Sequence, residues 1–275
     1  MVVVRGGGDL GTGVVHRLFR AGYKVLILEA ETPSVVRRTV AFAQAVFDGT
    51  AVVEGVEARV LRMDEAEGVA RRESAPGWIP LVVDPKGKLL SALQPRAVVD
   101  ARMAKRNLGT SRDDAEVTIG LGPGFTAGED VDYVVETKRG HTLGRLILEG
   151  RAEPDTGVPG VVAGVGADRL LRSPAAGRFR SHASIGDTVS EGEVVGDVGG
   201  ARVEARTAGL LRGLVNDGTE VREGQKIGDV DPRGAEIDHT LISDKARSVG
   251  GAVLEGLLAS GILPEAHVRG SHGDV

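Results

Sequence analysis

Gly6, Gly8 and Gly11 stand in the spacing G-x-G-x-x-G within VVVRGGGDLGTG, residues 2–13. Where an apolar run ends and a helix begins, each glycine has a physical task. Gly6 permits the sharp turn, Gly8 lets a phosphate approach bare backbone, and Gly11 lets the helix pack close to its strand. Free amides at the helix start then face the anion. Glu29 ends the next apolar run, 18 residues beyond Gly11, where a carboxylate would meet a ribose hydroxyl and repel a 2′-phosphate. That favours an NAD-like or adenosyl ligand over NADP. Asp9 either satisfies amides at the helix start or touches the ligand. Arg5, a charge closing a buried strand, needs an anion or a structural partner.

Further candidates sit at the ends of other apolar runs, and in an open parallel sheet ligands gather there. Ala97–Val99 leads into Asp100, Arg102 and Lys105, and Val117–Ile119 leads into GLGPGF, where Gly122 and Gly124 suit either a second amide nest or a tight turn. Arg37 and Arg38 follow the Glu29 strand and lie either on a solvated face or at the crevice. His141 belongs to a basic cluster with Lys138, Arg139 and Arg145. No metal site is expected, and His182, His267 and His272 lack ligand company.

The elements that must hold these residues are legible in outline. The valine run, Val14, Val15, Leu18 and Phe19 at helical spacing, and YKVLILE read as strand, helix and strand. VVRRTVAFAQAVF (35–47) reads as a helix. In the second half, residues 174–198 and 206–230 are copies offset by 32, with ten of 25 pairs identical, which indicates an internal duplication. The expected fold is an α/β Rossmann-like domain with a parallel sheet (1–165), a small all-β barrel-sandwich hybrid of the biotinyl/lipoyl type (168–232), a C-terminal helix docked on the first domain (235–263) and a flexible tail (264–275). Carrier chemistry is not expected, because no lysine occurs between Lys138 and Lys226. In the helical segment from Ile242, Ser243 caps the start, Lys245 is within reach of the crevice, and Gly250-Gly251 implies close backbone packing.

Composition narrows the function. With 41% hydrophobic residues the chain can fill a core, and with 3% aromatics it offers no base-stacking platform. A net charge of −5 without a basic block argues against nucleic acid. The lack of cysteine removes disulfides, thiolate metal sites and thiol nucleophiles. No leader or apolar run of membrane length is read, so a cytoplasmic location without a membrane partner is expected.

RGGGDLGTGVVHRLFRAG, ILEAETPSVVRRTVAF, VDARMAK, GLGPGFTAGEDVDYVVET, RGHTLGRLI and ISDKARSVGGAVLEGLL together resemble the YqeB-like family of selenium-dependent molybdenum hydroxylase accessory proteins. The resemblance implies an accessory or maturation role with a molybdenum hydroxylase as partner, and it places the candidate residues within its blocks. The expected ligand is then an NAD-like nucleotide or a molybdopterin dinucleotide, and the chain is expected to be a homo-oligomer. An NAD-dependent oxidoreductase, with His141 or Lys105 as proton donor, and a non-enzymatic scaffold are the alternative readings.

Overall fold

The computed structural model describes residues 1–72 and 76–264. The valine run forms β1 (Val2–Arg5), buried along its whole length because helices cover both faces of its sheet. α1 (Asp9–Arg20), β2 (Val25–Glu29) and the one-turn α2 (Ala45–Asp48) follow. β3 (Thr50–Val53) and β4 (Val56–Leu61) form a hairpin, and α3 (Met63–Ala70), β5 (Ile79–Val83), α4 (Leu89–Leu93), β6 (Ala97–Asp100) and β7 (Val117–Leu121) come next. The short strands β8 (Thr126–Ala127), β9 (Tyr133–Val135), β10 (Leu146–Ile147) and β11 (Gly150–Arg151) complete this half.

Among the described residues, nine strands make one sheet in the order β10-β9-β7-β6-β1-β2-β5-β4-β3. Pairing is parallel from β9 to β4, and β10 and β3 run antiparallel at the two edges. The expectation of a parallel-sheet Rossmann-like domain is therefore corrected to a large mixed sheet. Apolar runs do not encode strand direction, whereas Glu54-Gly55, both at positive φ (45° and 76°), join β3 to β4 too tightly for anything but antiparallel pairing. The predicted helix at 35–47 is also corrected. Phe42 N donates to Thr12 Oγ1 and Ala43 N to the Gly7 carbonyl, so these amides cannot continue a helical ladder. The segment forms 3-10 turns at Arg38–Val40 and Phe42–Gln44 before α2.

α5 (Asp244–Ala259), capped by Ser243 Oγ accepting from Ala246 N, lies with α1 on one face of the sheet. Val14, Leu18, Val249, Val253 and Leu257 share its core with Val2, Val4 and Ile119. On the opposite face Ala66 and Leu89, from α3 and α4, pack on Val3, Leu26 and Val98.

The remaining strands are β12 (Leu170–Arg172), β13 (Gly177–Ser181), β14 (Thr188–Val189), β15 (Val194–Val198), β16 (Ala201–Glu204), β17 (Gly209–Leu214), β18 (Glu220–Val221) and β19 (Lys226–Asp231). They make two four-stranded antiparallel sheets, β12-β19-β17-β14 and β16-β15-β13-β18, over one core that includes Phe179, Val195, Leu211, Leu214 and Ile227. Each copy of the repeat lends its short strand, β14 or β18, to the edge of the other copy's sheet. This arrangement replaces the expected barrel-sandwich hybrid. A duplication specifies two like units but not how their edges exchange. Of the expected tail, residues 265–275, with His267 and His272, lie outside the described residues.

Candidate functional site

At the carboxyl ends of β1, β2 and β6 the chain forms a cleft of about 740 Å³. Its position follows from topology: β1 is flanked by β2 on one side and β6 on the other, so the chain leaving β1 and β2 and the chain leaving β6 turn to opposite sides and leave a crevice. The glycine loop forms its floor. Gly6 has a φ of +100°, and a Cβ there would press on Ala101 and Arg102 backbone at 3.0–3.1 Å. A Cβ on Gly11 would fall 2.1 Å from the Gly6 carbonyl oxygen, whereas one on Gly8 would meet nothing within 4 Å. Gly8 therefore faces open space. It also caps α1 without any side-chain hydrogen bond, which leaves first-turn amides to solvent or a ligand.

Glu29 braces this loop. Gly7 N donates to its Oε2 at 2.6 Å and Ala30 N to its Oε1 at 2.7 Å. Burial raises its pKa, and the two amide bonds only partly offset that. Both carboxylate oxygens are thus engaged by backbone, while the side chain still borders the cleft. Arg5 is 4% exposed and donates from Nη1 to Thr110 Oγ1 at 2.9 Å. Thr110 Oγ1 in turn donates to Asp100 Oδ2 at 2.7 Å, and Asp100 clamps the Arg102 guanidinium. Burial, reinforced by neighbouring Arg102, lowers the Arg5 pKa. Arg5, Asp100 and Arg102 are thus one polar cluster under the cleft, tied by Thr110.

Arg37 closes the opposite wall. Its Nη2 donates to Asp229 Oδ2 at 2.7 Å and its Nη1 to Asp9 Oδ2 at 3.1 Å, joining the start of α1 to β19. Burial opposes the charge on Arg37, but Asp229 and Asp9 outweigh it and hold the pKa above the ordinary arginine value. Asp9 is consequently an ion-pair partner rather than a helix cap, and its Oδ1 is buried without an acceptor or donor partner among the described residues. Arg38 turns away from the cleft and donates to Leu214 O and Asn216 Oδ1, tying the two halves together.

The other sequence-predicted residues lie elsewhere. Lys105 pairs with Asp155 in a neighbouring cavity. Gly122 and Gly124 do not line the cleft, and a Cβ on Gly124 would collide with Arg106 backbone at 2.6 Å, so they serve close chain packing. His141 is exposed and borders neither cavity.

Six cationic side chains and three carboxylates line the cleft of a chain whose net charge is −5. Four of the six are the arginines Arg5, Arg37, Arg102 and Arg139, and all four have a carboxylate within 4 Å, Arg139 through Asp244. Lys226 and Lys245 are different. Neither ammonium makes a hydrogen bond among the described residues; Lys245 has no ion pair there, and Lys226 has one, to Asp229 Oδ1 at 3.8 Å. Burial lowers both ammonium pKa values; Arg139 adds to the effect at Lys245, and Asp229 opposes it at Lys226. Sequence reasoning had reached Lys245 but not Lys226. The signal for Lys226 was present, because the repeat places valine, Val194, at the equivalent position of the first copy.

The chain is 54% identical over 258 residues to YqeB of Escherichia coli K12, itself an uncharacterized protein. The two sequences are alike across this segment. The alignment covers 94% of this chain and 47% of that relative, so the chain spans about half the relative's length. No protein-family profile matches it. Among solved structures it is similar to an aspartoacylase family protein of Mesorhizobium loti, at 14% identity and a TM-score of 0.28, with 83% of this chain and 84% of that one covered. It is also similar to the ectoine utilization protein EutE (DoeB) of Ruegeria pomeroyi, at 11% identity and a TM-score of 0.27, covering 83% and 85%. Superpositions of this quality assign no chemistry to the cleft. No helix among the described residues is long and apolar enough to cross a membrane.

Proposed function

We propose that the chain is an accessory protein in the maturation of selenium-dependent molybdenum hydroxylases, working in the cytoplasm, and that its cleft binds a phosphate-bearing ligand, a nucleotide or a molybdopterin dinucleotide. The observation that carries the ligand reading is the pairing of Lys226 and Lys245, two half-buried ammonium groups short of acceptors, with the open backbone at Gly8 in one cleft. Ammonium groups without a hydrogen-bond acceptor, in one cleft with free helix-start amides, suit a phosphate. The maturation role rests on the resemblance of the sequence blocks quoted above to the accessory family. The oxidoreductase reading lacks such support: its two proton donors, His141 and Lys105, do not border this cleft.

The test is the identity of whatever co-purifies, by mass spectrometry and absorbance, followed by thermal denaturation against nucleotides and pterin dinucleotides. A ligand at 100 times its Kd stabilises by about 2.7 kcal/mol, and Gly8→Val, which projects a side chain into the open space, abolishes that gain. A flat response to the whole panel in the wild-type protein refutes the ligand reading and leaves the scaffold alternative.

A further inference from the structure

A second cavity of about 410 Å³ adjoins the cleft, and Arg37, Met103, Arg139 and Lys245 border both. Eight cationic side chains and two carboxylates line it. Six of the eight are held by carboxylates, among them Arg212 and Arg233 on Asp231 and Lys138 on Glu153. Arg169 and Lys245 have no such partner. Arg169 is 7% exposed; its Nη2 donates to the Gly160 carbonyl at 2.8 Å, and its Nε is buried with no acceptor among the described residues. Leaving a buried charged donor unmade is costly, and in native folds a water, ion or ligand commonly supplies the acceptor.

We propose that this second cavity is a distinct anion site that binds a phosphate or phosphate monoester, with Arg169 and Lys245 as its cationic contacts. Two unmatched cations fit a dianion better than a single carboxylate. With Nη2 engaged by Gly160, Nε is the Arg169 donor shown without an acceptor, and a phosphate oxygen would supply one. The cavity is larger than a bare phosphate, so it has room for the group that carries one. Lys245 borders both cavities and is shared with the reading proposed for the first cleft, whereas Arg169 belongs to the second cavity alone.

The experiment is calorimetric titration of the full chain with inorganic phosphate at ionic strength held constant with chloride, on the wild type, Gly8→Val and Arg169→Gln. Saturable binding that survives in Gly8→Val and weakens at least tenfold in Arg169→Gln supports the site. Absence of saturable binding, equal binding by Arg169→Gln, or loss in Gly8→Val alone overturns it. If Arg169→Gln does not fold, Lys245→Gln decides. Lys245 makes no hydrogen bond whose loss would unfold the chain, and in a Gly8→Val background its removal must weaken phosphate binding; unchanged binding overturns the site. A parallel titration with ribose 5-phosphate separates the sources. Equal affinity for the two probes identifies a free oxyanion, and a preference for the ester identifies the phosphate end of a larger ligand.

Discussion

Lys226 and Lys245 are the residues whose chemistry is left open by the fold, because the arginines around them are committed to carboxylates. A charge-assisted contact to a ligand phosphate contributes roughly 1.5–3 kcal/mol, so Lys226→Gln is expected to weaken binding by about 10- to 100-fold. The pH dependence has a fixed sign. The ammonium form binds the anion, and burial lowers its pKa from the ordinary 10.5, so affinity falls as pH rises through that lowered value, at lower pH than an unperturbed lysine would lose it. Lys226→Arg should keep its affinity across the pH range in which the wild type loses it; a titration series in which both proteins decline together would exclude Lys226 as the contact. Asp231 makes a second pH-dependent prediction. Burial opposes its charge, but Arg233 and Arg212 overcome this and bring its pKa from 3.8 to about 2. A carboxylate with a depressed folded-state pKa stabilises above its unfolded value and loses that contribution as pH falls through the folded one. The stability gap between wild type and Asp231→Asn should therefore shrink by on the order of 2 kcal/mol between pH 4 and pH 2, as read from denaturant melts.

Helix α5 docks on α1 through neighbouring glycines with opposite environments. A Cβ on Gly250 would lie 2.7 Å from the Gly13 carbonyl oxygen, while one on Gly251 would meet nothing within 4 Å. Gly250→Ala forces the helices apart and is expected to cost about 1–3 kcal/mol. Gly251→Ala removes backbone entropy from the middle of a helix at no steric cost and should stabilise by up to about 1 kcal/mol. Urea midpoints shifting in the same direction for the two variants would contradict this packing. The Gly250-Gly251 pair was visible in the sequence, as were the opening strand, glycine turn and helix, because each is a local pattern. Strand direction was not, since the hairpin turn at Glu54-Gly55 rather than the flanking valines sets it. The turns at 38–44 were hidden for another reason: their amides bond Thr12 and Gly7, some 30 residues earlier. One cation of the cleft lay concealed in the duplication. Lys226 stands where the first copy has Val194, and Arg233, just beyond the second copy, stands at the same offset of 32 from Ala201; these two charges border the cleft and its neighbour. Reading the repeat for its differences as well as its identities would have found them.

Across the whole molecule, Arg37 is the joint between the sheet that carries the glycine loop and the duplicated half. It holds Asp9 at the head of α1 and Asp229, 1% exposed, on β19. The Val36 carbonyl accepts from Leu214 N beside it, and Arg38 reaches Leu214 O and Asn216. The cleft therefore gains Lys226 only while the halves are docked, because Lys226 belongs to one half and Gly8 to the other. Arg37→Met strands Asp229 in the interior with only Lys226 at 3.8 Å, and breaking a buried pair from one side costs roughly 3–5 kcal/mol. Asp229→Asn leaves Arg37 its second partner, Asp9, and should cost less. The double variant removes the stranded charge as well as its partner, so its loss should fall short of the sum of the two single losses by at least 1 kcal/mol in a double-mutant cycle by chemical denaturation. Losses that add to within about 0.5 kcal/mol would mean that Arg37 and Asp229 act independently. The hydrogen bonds of Val36 and Arg38 would then be what holds the two walls of the cleft together.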